Sequence, residues 1–331
     1  MSVIQNLEGS LSECYSSTLF QFDEVVIKGP DAVQFINNFT TADMNGLQEN
    51  DGCDGFFCDA RGGVLEMAVL LRSDEGLRIR VARGCGQRLA THLDRYHIRE
   101  DIAIFQNQEE VHSVLVSGSQ AKIWLQKYFD VSVPKLYQQL QEIGGNNPFS
   151  TRSTPARLMA VDWVSSESFL VTVAGECKDA LQSSLATTGI RKITDEMITY
   201  FRLRQGWPLD NDIPEKTLPQ EVGLNDRAIS FTKGCYLGQE TVARLDALGH
   251  VNRRLVVLAV EKGGSLVVGD SVVSNDEVVS RITSVGCLGD QEASLAMAII
   301  PIKSMQHKSK LTVAGAAAKV VSPVLLDTLT T

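Results

Sequence analysis

Apolar and polar positions in the first hundred residues switch between two periods. In "EVVIKGPDAVQFINNFTTADMNGL" (24–47) a short apolar run predicts a strand, and Ala32, Phe35, Ile36 and Phe39 then recur at helical spacing. Pro30 suits the first helical position, and Asp31 suits the positive end of the helix. "GGVLEMAVLLRSDEGLRIRVA" (62–82) predicts two strands joined at "SDEG", with alternation in "LRIRVA", and "GQRLATHLDRYH" predicts a helix. These elements give an α+β module rather than repeated βαβ units.

A second β-rich run begins near "EEVHSVLVSGSQAKIWLQKYF", where a Gly-Ser turn leads into an amphipathic helix carrying Ile123, Trp124 and Phe129. "GGNNPFSTRSTP" (144–155) is punctuated as a surface loop. Strands at "LMAVDW" and "SFLVTVA" and a helix at "DEMITYFRLRQG" follow. Beyond Gly249 the pattern changes to short strands between turns ("RRLVVLAVE", "SLVVGDSVV", "EVVSRITSVG", "ASLAMAIIP", "KLTVAG"), which predicts a small antiparallel barrel or sandwich. The expected domains are 1–110, 111–249 and 250–331, as befits 331 residues at about 100–200 per domain.

Composition is that of a folded globular protein, with 44% hydrophobic and 21% charged residues. A net charge of -9 argues against a general polyanion-binding surface and against direct DNA binding. A local basic patch from Arg152, Arg157, Arg191, Lys192, Arg202 and Arg204 stays open, beside the plainer alternative of solvated faces. No run of about 18 apolar residues occurs, and the N-terminus lacks a basic region followed by an apolar stretch, so the expected location is the cytoplasm, with no membrane partner. Five scattered histidines lack ligand spacing, and seven cysteines contain no CxxC pair, so neither a metal site nor a disulfide framework is expected.

One stretch fits no packing period: "KGCYLGQETVAR" (233–244). If it is extended, Lys233 and Cys235 share a side, and the ammonium, together with a helix starting near Gly238, favours the thiolate. Gln239 and Glu240 then occupy the first helical turn, with Glu240 four residues before Arg244. The plainer alternative has Lys233 solvated, Cys235 buried and Glu240 acting as a cap.

Lys233, Gly234, Cys235, Tyr236, Gly238, Gln239 and Glu240 match every fixed position of K-G-C-Y-x-G-Q-E, the hallmark of the folate-binding YgfZ group in the glycine-cleavage T-protein (aminomethyltransferase) superfamily. "IKGPDAVQFINNFTTADMNGL", with its Thr41-x-Asp43 step, "CDARGGVLEMAVLL" and "VVGDSVVSNDEVVSRITSVG" extend the resemblance over nearly the whole chain. It implies a three-domain cloverleaf around a central folate pocket, ending in an antiparallel β-barrel. It also implies a tetrahydrofolate-dependent accessory role toward iron–sulfur proteins or their assembly machinery, including enzymes that thiolate tRNA. Cys235 would be the redox-active or ligating thiol, Lys233 its electrostatic partner, and Tyr236, Gln239 and Glu240 its support. Phe22 falls at a folate-contacting aromatic position.

Two positions depart from the superfamily. Glu66-Met67 stands where aminomethyltransferases carry paired aspartates, and Arg204 stands where a glutamate recognises the pterin. Arginine only donates, so the acceptor would come from Glu66, Asp43 or Asp212. Asn211 and Asp212 in "WPLDNDIP" resemble a pocket-facing step, or form a simple turn, and Trp207 would stack on a pterin ring or pack in the core. A one-carbon transferase using Glu66, and a docking protein that kept the fold without the ligand, are the alternatives to the accessory role.

Overall fold

The computed structural model describes residues 14–321 except 75, 108–110, 130–133, 135, 138, 142–147, 152–155, 262–264, 288–292 and 306–309. Most of the expected loop at 144–155, including Arg152, and also His307 and Glu75 of the expected "SDEG" turn, lie outside the described residues.

Period-two alternation builds the first sheet. Its five antiparallel strands run in the spatial order Gly52–Cys58, Val64–Ser73, Gly76–Ala82, Phe22–Lys28 and Ala103–Gln106. Val25, Ile27, Leu70, Leu77 and Ile79 turn one way, into a core closed by helices Ala32–Asn37 and Gly86–Asp94 through Phe35, Ile36, Leu89 and Leu93. Phe56, Cys58, Val69 and Leu71 turn the other way, into the core at the centre of the molecule. Alternation also sends Glu24, Arg78 and Arg80 to that inner face, where they meet.

The second sheet has the order Arg191–Lys192, Tyr15–Ser17, Val111–Ser117, Ser168–Ala174, Arg157–Val161 and Gln139–Gln141. Tyr15–Ser17 pairs in parallel with Arg191–Lys192, and every other neighbour is antiparallel. A strand near the N-terminus therefore belongs to the second sheet, not the first. Helices Ala121–Phe129 and Lys178–Thr187 cover its outer face through Trp124, Leu125, Phe129, Leu181 and Leu185. Ile123, expected on the apolar stripe, is 58% exposed, because Trp124 and Phe129 take the sheet-facing positions. Inner-face residues Leu115, Met159, Val161 and Leu170 join the central core.

The third sheet runs Glu277–Arg281, Ser271–Ser274, Leu311–Val313, Ala316–Val321, Arg253–Glu261, Ala293–Pro301 and Ser284–Gly286, all antiparallel. Only Ile282 and Thr283 separate Arg281 from Ser284, yet these two strands form opposite edges of the sheet. The sheet must curl to bring its edges that close, but among the described residues no ladder joins them. The expected antiparallel β-barrel is thus present as a curled half-barrel that does not fully close. Its Leu255, Val257, Met297 and Ile299 complete the central core.

Candidate functional site

The 233–244 segment leaves the sheets altogether. Phe231–Tyr236 forms no strand, and the helix Gln239–Leu248 starts after Gly238, whose φ of +83° is left-handed. A β-carbon there would lie 2.5 Å from the Asp59 carbonyl oxygen and 3.0 Å from Gly62 Cα, so only glycine lets the motif dock on the 59–63 turn. Lys233 Nζ donates to the carbonyls of Asn37 (2.7 Å), Thr40 (2.9 Å) and Ala42 (2.5 Å), and lies 5.3 Å from the Tyr236 ring. The lysine thus caps the open carbonyl end of helix Ala32–Asn37 and the turn after it. Burial pulls its ammonium down to about 8, against the pull of Asp43.

Thr41 Oγ1 donates to the Ala228 carbonyl (2.5 Å) and accepts from Phe56 N–H (2.9 Å), and Leu237 N–H donates to Asn38 (2.9 Å). Tyr236 is buried, and burial raises its phenol above the ordinary value. Cys235, by contrast, is exposed. Neither sequence alternative matches this arrangement. The ammonium serves three carbonyls instead of sharing a strand face with the thiol, and the thiol is not buried. Gln239 is half-buried and Glu240 exposed, and among the described residues no ion pair joins Glu240 to Arg244.

A cavity of about 290 Å³ opens between the first two sheets, lined by Phe20, Phe22, Met67, Arg80, Trp163 and Trp207, with Asp210 and Asn211 at one side. Trp163 and Trp207 stack at 5.5 Å and 21°, and Phe22 lies 5.5 Å from Trp163. Below the rings, Arg227 donates to both oxygens of Asp162 (2.8 and 3.0 Å), to Asp54 (2.9 and 3.1 Å) and to Tyr137, and lies 5.0 Å from the Trp207 ring. Burial pushes Asp54 up to about 6, against the pull of Arg227. Beside the cavity Glu24 collects Arg78 (2.8 Å), Arg157 (3.1 Å) and Arg80 (3.5 Å), while Arg80 Nη2 is buried without a hydrogen-bond partner. Burial would raise Glu24, but Arg157, Arg80 and Arg78 outweigh it and hold the carboxyl at about 2.

Glu66 points away from the aromatic lining. Its Oε1 accepts from Arg88 (2.7 Å from Nε, 2.6 Å from Nη2), and a carboxylate oxygen of Glu66, Cys85 Sγ and a carboxylate oxygen of Asp210 lie within 4.8 Å of one another. Burial, then Glu66 and Asp210, push the Cys85 thiol up to about 12.

The GCVT N-terminal domain profile matches residues 18–233, about two-thirds of the chain. This chain belongs to the GCVT N-terminal domain family. It is 28% identical over 251 residues to the tRNA-modifying protein YgfZ of Colwellia psychrerythraea (strain 34H / ATCC BAA-681), covering 75% of this chain and 72% of that protein. To the tRNA-modifying protein YgfZ of Yersinia pestis (strain Pestoides F) it is 28% identical over 247 residues, covering 73% and 71%. The glycine cleavage system aminomethyltransferase T from Bartonella henselae superposes with a TM-score of 0.79 at 18% identity, over 94% of this chain and 86% of that one.

Within this GCVT-family fold the expected site residues divide. Phe22 and Trp207 line the cavity, and Trp207 does so while packed on Trp163 and Arg227. Asp212 is 0% exposed and saturated by Arg202 Nη1 (2.9 Å), Leu209 N–H (2.9 Å) and Thr283 Oγ1 (2.6 Å), so it is a structural anchor and not a free acceptor. Arg204 lines a separate groove with Tyr15, Ser117 and Glu167. Asp43, which accepts from Asn45 N–H (3.0 Å), is exposed and outside the cavity lining. The basic residues do not gather either: Arg157 serves Glu24, Arg202 serves Asp212, and Arg191 and Lys192 lie exposed on a two-residue edge strand.

Sequence reasoning missed Trp163, Arg80, Arg227 and the Glu66–Cys85–Asp210 group. Arg80 could have been found from "LRIRVA", whose arginines occupy the face opposite Leu77 and Ile79. No helix among the described residues is long and apolar enough to cross a membrane.

Proposed function

We propose that this chain is a folate-binding accessory protein of iron–sulfur-dependent tRNA modification in the cytoplasm, acting through Cys235. The observation that carries the proposal is the contrast inside the motif. Lys233, Tyr236 and Gly238 are committed to capping and packing, while Cys235 stands exposed with no packing role. The names of the YgfZ relatives and the family membership support the tRNA and folate parts.

The cavity suits a flat heteroaromatic ring. Phe22, Trp163 and Trp207 provide an aromatic wall, and Arg80 Nη2 is a buried donor in need of an acceptor. Tetrahydrofolate, when bound, would supply a nitrogen able to take up one-carbon units. Aminomethyl transfer is the second reading, favoured by the fold match. Against it, Glu66 replaces the paired aspartates and is held by Arg88.

Titrating the protein with tetrahydrofolate should quench its tryptophan fluorescence, and Phe22→Ala should weaken binding roughly tenfold; no response from the wild type would remove folate as the ligand. In cells lacking the endogenous homologue, Cys235→Ala should accumulate as folded protein without restoring tRNA thiolation. Full complementation would remove the cysteine from the proposal, and turnover in a glycine-cleavage assay would promote the transferase.

A further inference from the structure

We propose that Glu66, Cys85 and Asp210 form a binding site for one divalent metal ion of the zinc or ferrous type, at the edge of the aromatic cavity.

Three elements far apart in sequence converge there: Glu66 from strand Val64–Ser73, Cys85 from the residue capping helix Gly86–Asp94, and Asp210 from the turn after Trp207. Their donor atoms lie within 4.8 Å of one another, and Cys85 Sγ is 3.9 Å from Asp210 Oδ2. Ligand bonds of about 2.3 Å to sulfur and about 2.0–2.2 Å to oxygen place tetrahedral ligand atoms roughly 3.5 Å apart, so small side-chain adjustments complete the geometry.

A second, independent feature points to a ligand. Glu66 is 1% exposed, and its Oε2 is buried without any hydrogen-bond partner. An unsatisfied carboxylate oxygen in the interior is costly, and the carboxylate that carries it has an oxygen within 4.8 Å of a thiol sulfur and of a second carboxylate. Arg88 does not fill this need. It is 62% exposed, reaches in from the surface and, of the two Glu66 oxygens, bonds Oε1, while its Nη2 also donates to the Leu65 carbonyl (3.4 Å) and to Cys85 Sγ (3.5 Å).

Charge supports the same occupant. With Cys85 as thiolate the three ligands carry three negative charges, and Arg88 offsets one. A divalent cation brings the group to neutrality. As the metal–sulfur bond forms, Cys85 releases its thiol proton to solvent, and no electron is transferred. A thiolate combined with carboxylates selects zinc or ferrous iron over magnesium or calcium, which take oxygen ligands. Asp210 also lines the cavity, so the group adjoins the space where a small molecule would sit. With three protein ligands and one open position, the set resembles reactive metal sites more than closed structural ones.

The test uses the full chain without an affinity tag, stripped with chelator and titrated anaerobically with Co²⁺ alone, in the absence of folate. One equivalent should give a near-ultraviolet thiolate-to-cobalt charge-transfer band that Zn²⁺ abolishes by displacement. Cys85→Ser should eliminate the band. Asp210→Asn, an exposed change that leaves the core intact, should weaken Zn²⁺ binding roughly tenfold or more, and Cys235→Ser should leave the band unchanged. The proposal is overturned if the wild type shows no such band, if the band follows Cys235 instead of Cys85, or if Asp210→Asn binds Zn²⁺ as tightly as the wild type.

Discussion

Replacing Glu24 with Gln keeps the size of the side chain and removes the carboxylate that Arg78, Arg80 and Arg157 share. Glu24 is 8% exposed and joins strand Phe22–Lys28 of the first sheet to strand Arg157–Val161 of the second. Its carboxyl falls from 4.5 to about 2 on folding, which at about 1.4 kcal/mol per pH unit corresponds to about 3 kcal/mol. Breaking a buried ion pair from one side costs a similar amount, about 3–5 kcal/mol, because Arg80 and Arg157 are left in the interior.

The folded-state value is depressed, so the contribution is complete above pH 4.5 and fades as pH falls toward 2. Asp54, raised from 3.8 to about 6, works in the opposite sense: the native state takes up its proton first, so its contribution is lost as pH rises through 6. The difference between wild type and Glu24→Gln cancels Asp54. Urea unfolding followed by tryptophan fluorescence should show the variant about 3 kcal/mol less stable at pH 7, a midpoint shift of about 1 M at a slope of about 3 kcal/mol per M. The gap should narrow as pH falls below 4.5 and close only as pH passes below about 2. A gap under 1 kcal/mol at pH 7, or one that stays constant into acid, would refute the assignment of Glu24 as the charged keystone between the sheets.

Lys233→Met should cost about 2–3 kcal/mol in the same unfolding experiment, since three carbonyls lose a charged donor, part of which water replaces. Mass spectrometry of alkylated protein should show Cys235 labelled fastest of the seven cysteines, at a rate that Lys233→Met leaves unchanged, and a several-fold slower rate in the variant would restore the lysine as thiol activator. Gly238→Ala should destabilise by at least about 2 kcal/mol, from its left-handed backbone and the contact with the Asp59 carbonyl, and a thermal midpoint equal to that of the wild type would show that the 59–63 turn gives way.

Local patterns carried much of this molecule. Alternation in "LRIRVA" and helical spacing after Asp31 depend on nearest neighbours and on which face is apolar, so they are legible in one dimension. The seven motif positions at 233–240 pointed to the family in the same way. Lys233 shows where such reasoning stops: its partners are carbonyls near residue 40, almost two hundred positions away, and no local period encodes them. Asp212 looked like a free acceptor in a turn until Thr283 and Arg202 closed on it. The C-terminal strands were visible, but whether their edges join depends on sheet curl and register summed over seven strands. Glu66, Cys85 and Asp210 lie in segments that only the packing of the first sheet against the turn after Trp207 brings together. Sequence determined the elements and their buried faces, because those follow from side-chain period and solvation. Tertiary structure alone decided which polar groups meet, because meeting depends on long-range closure.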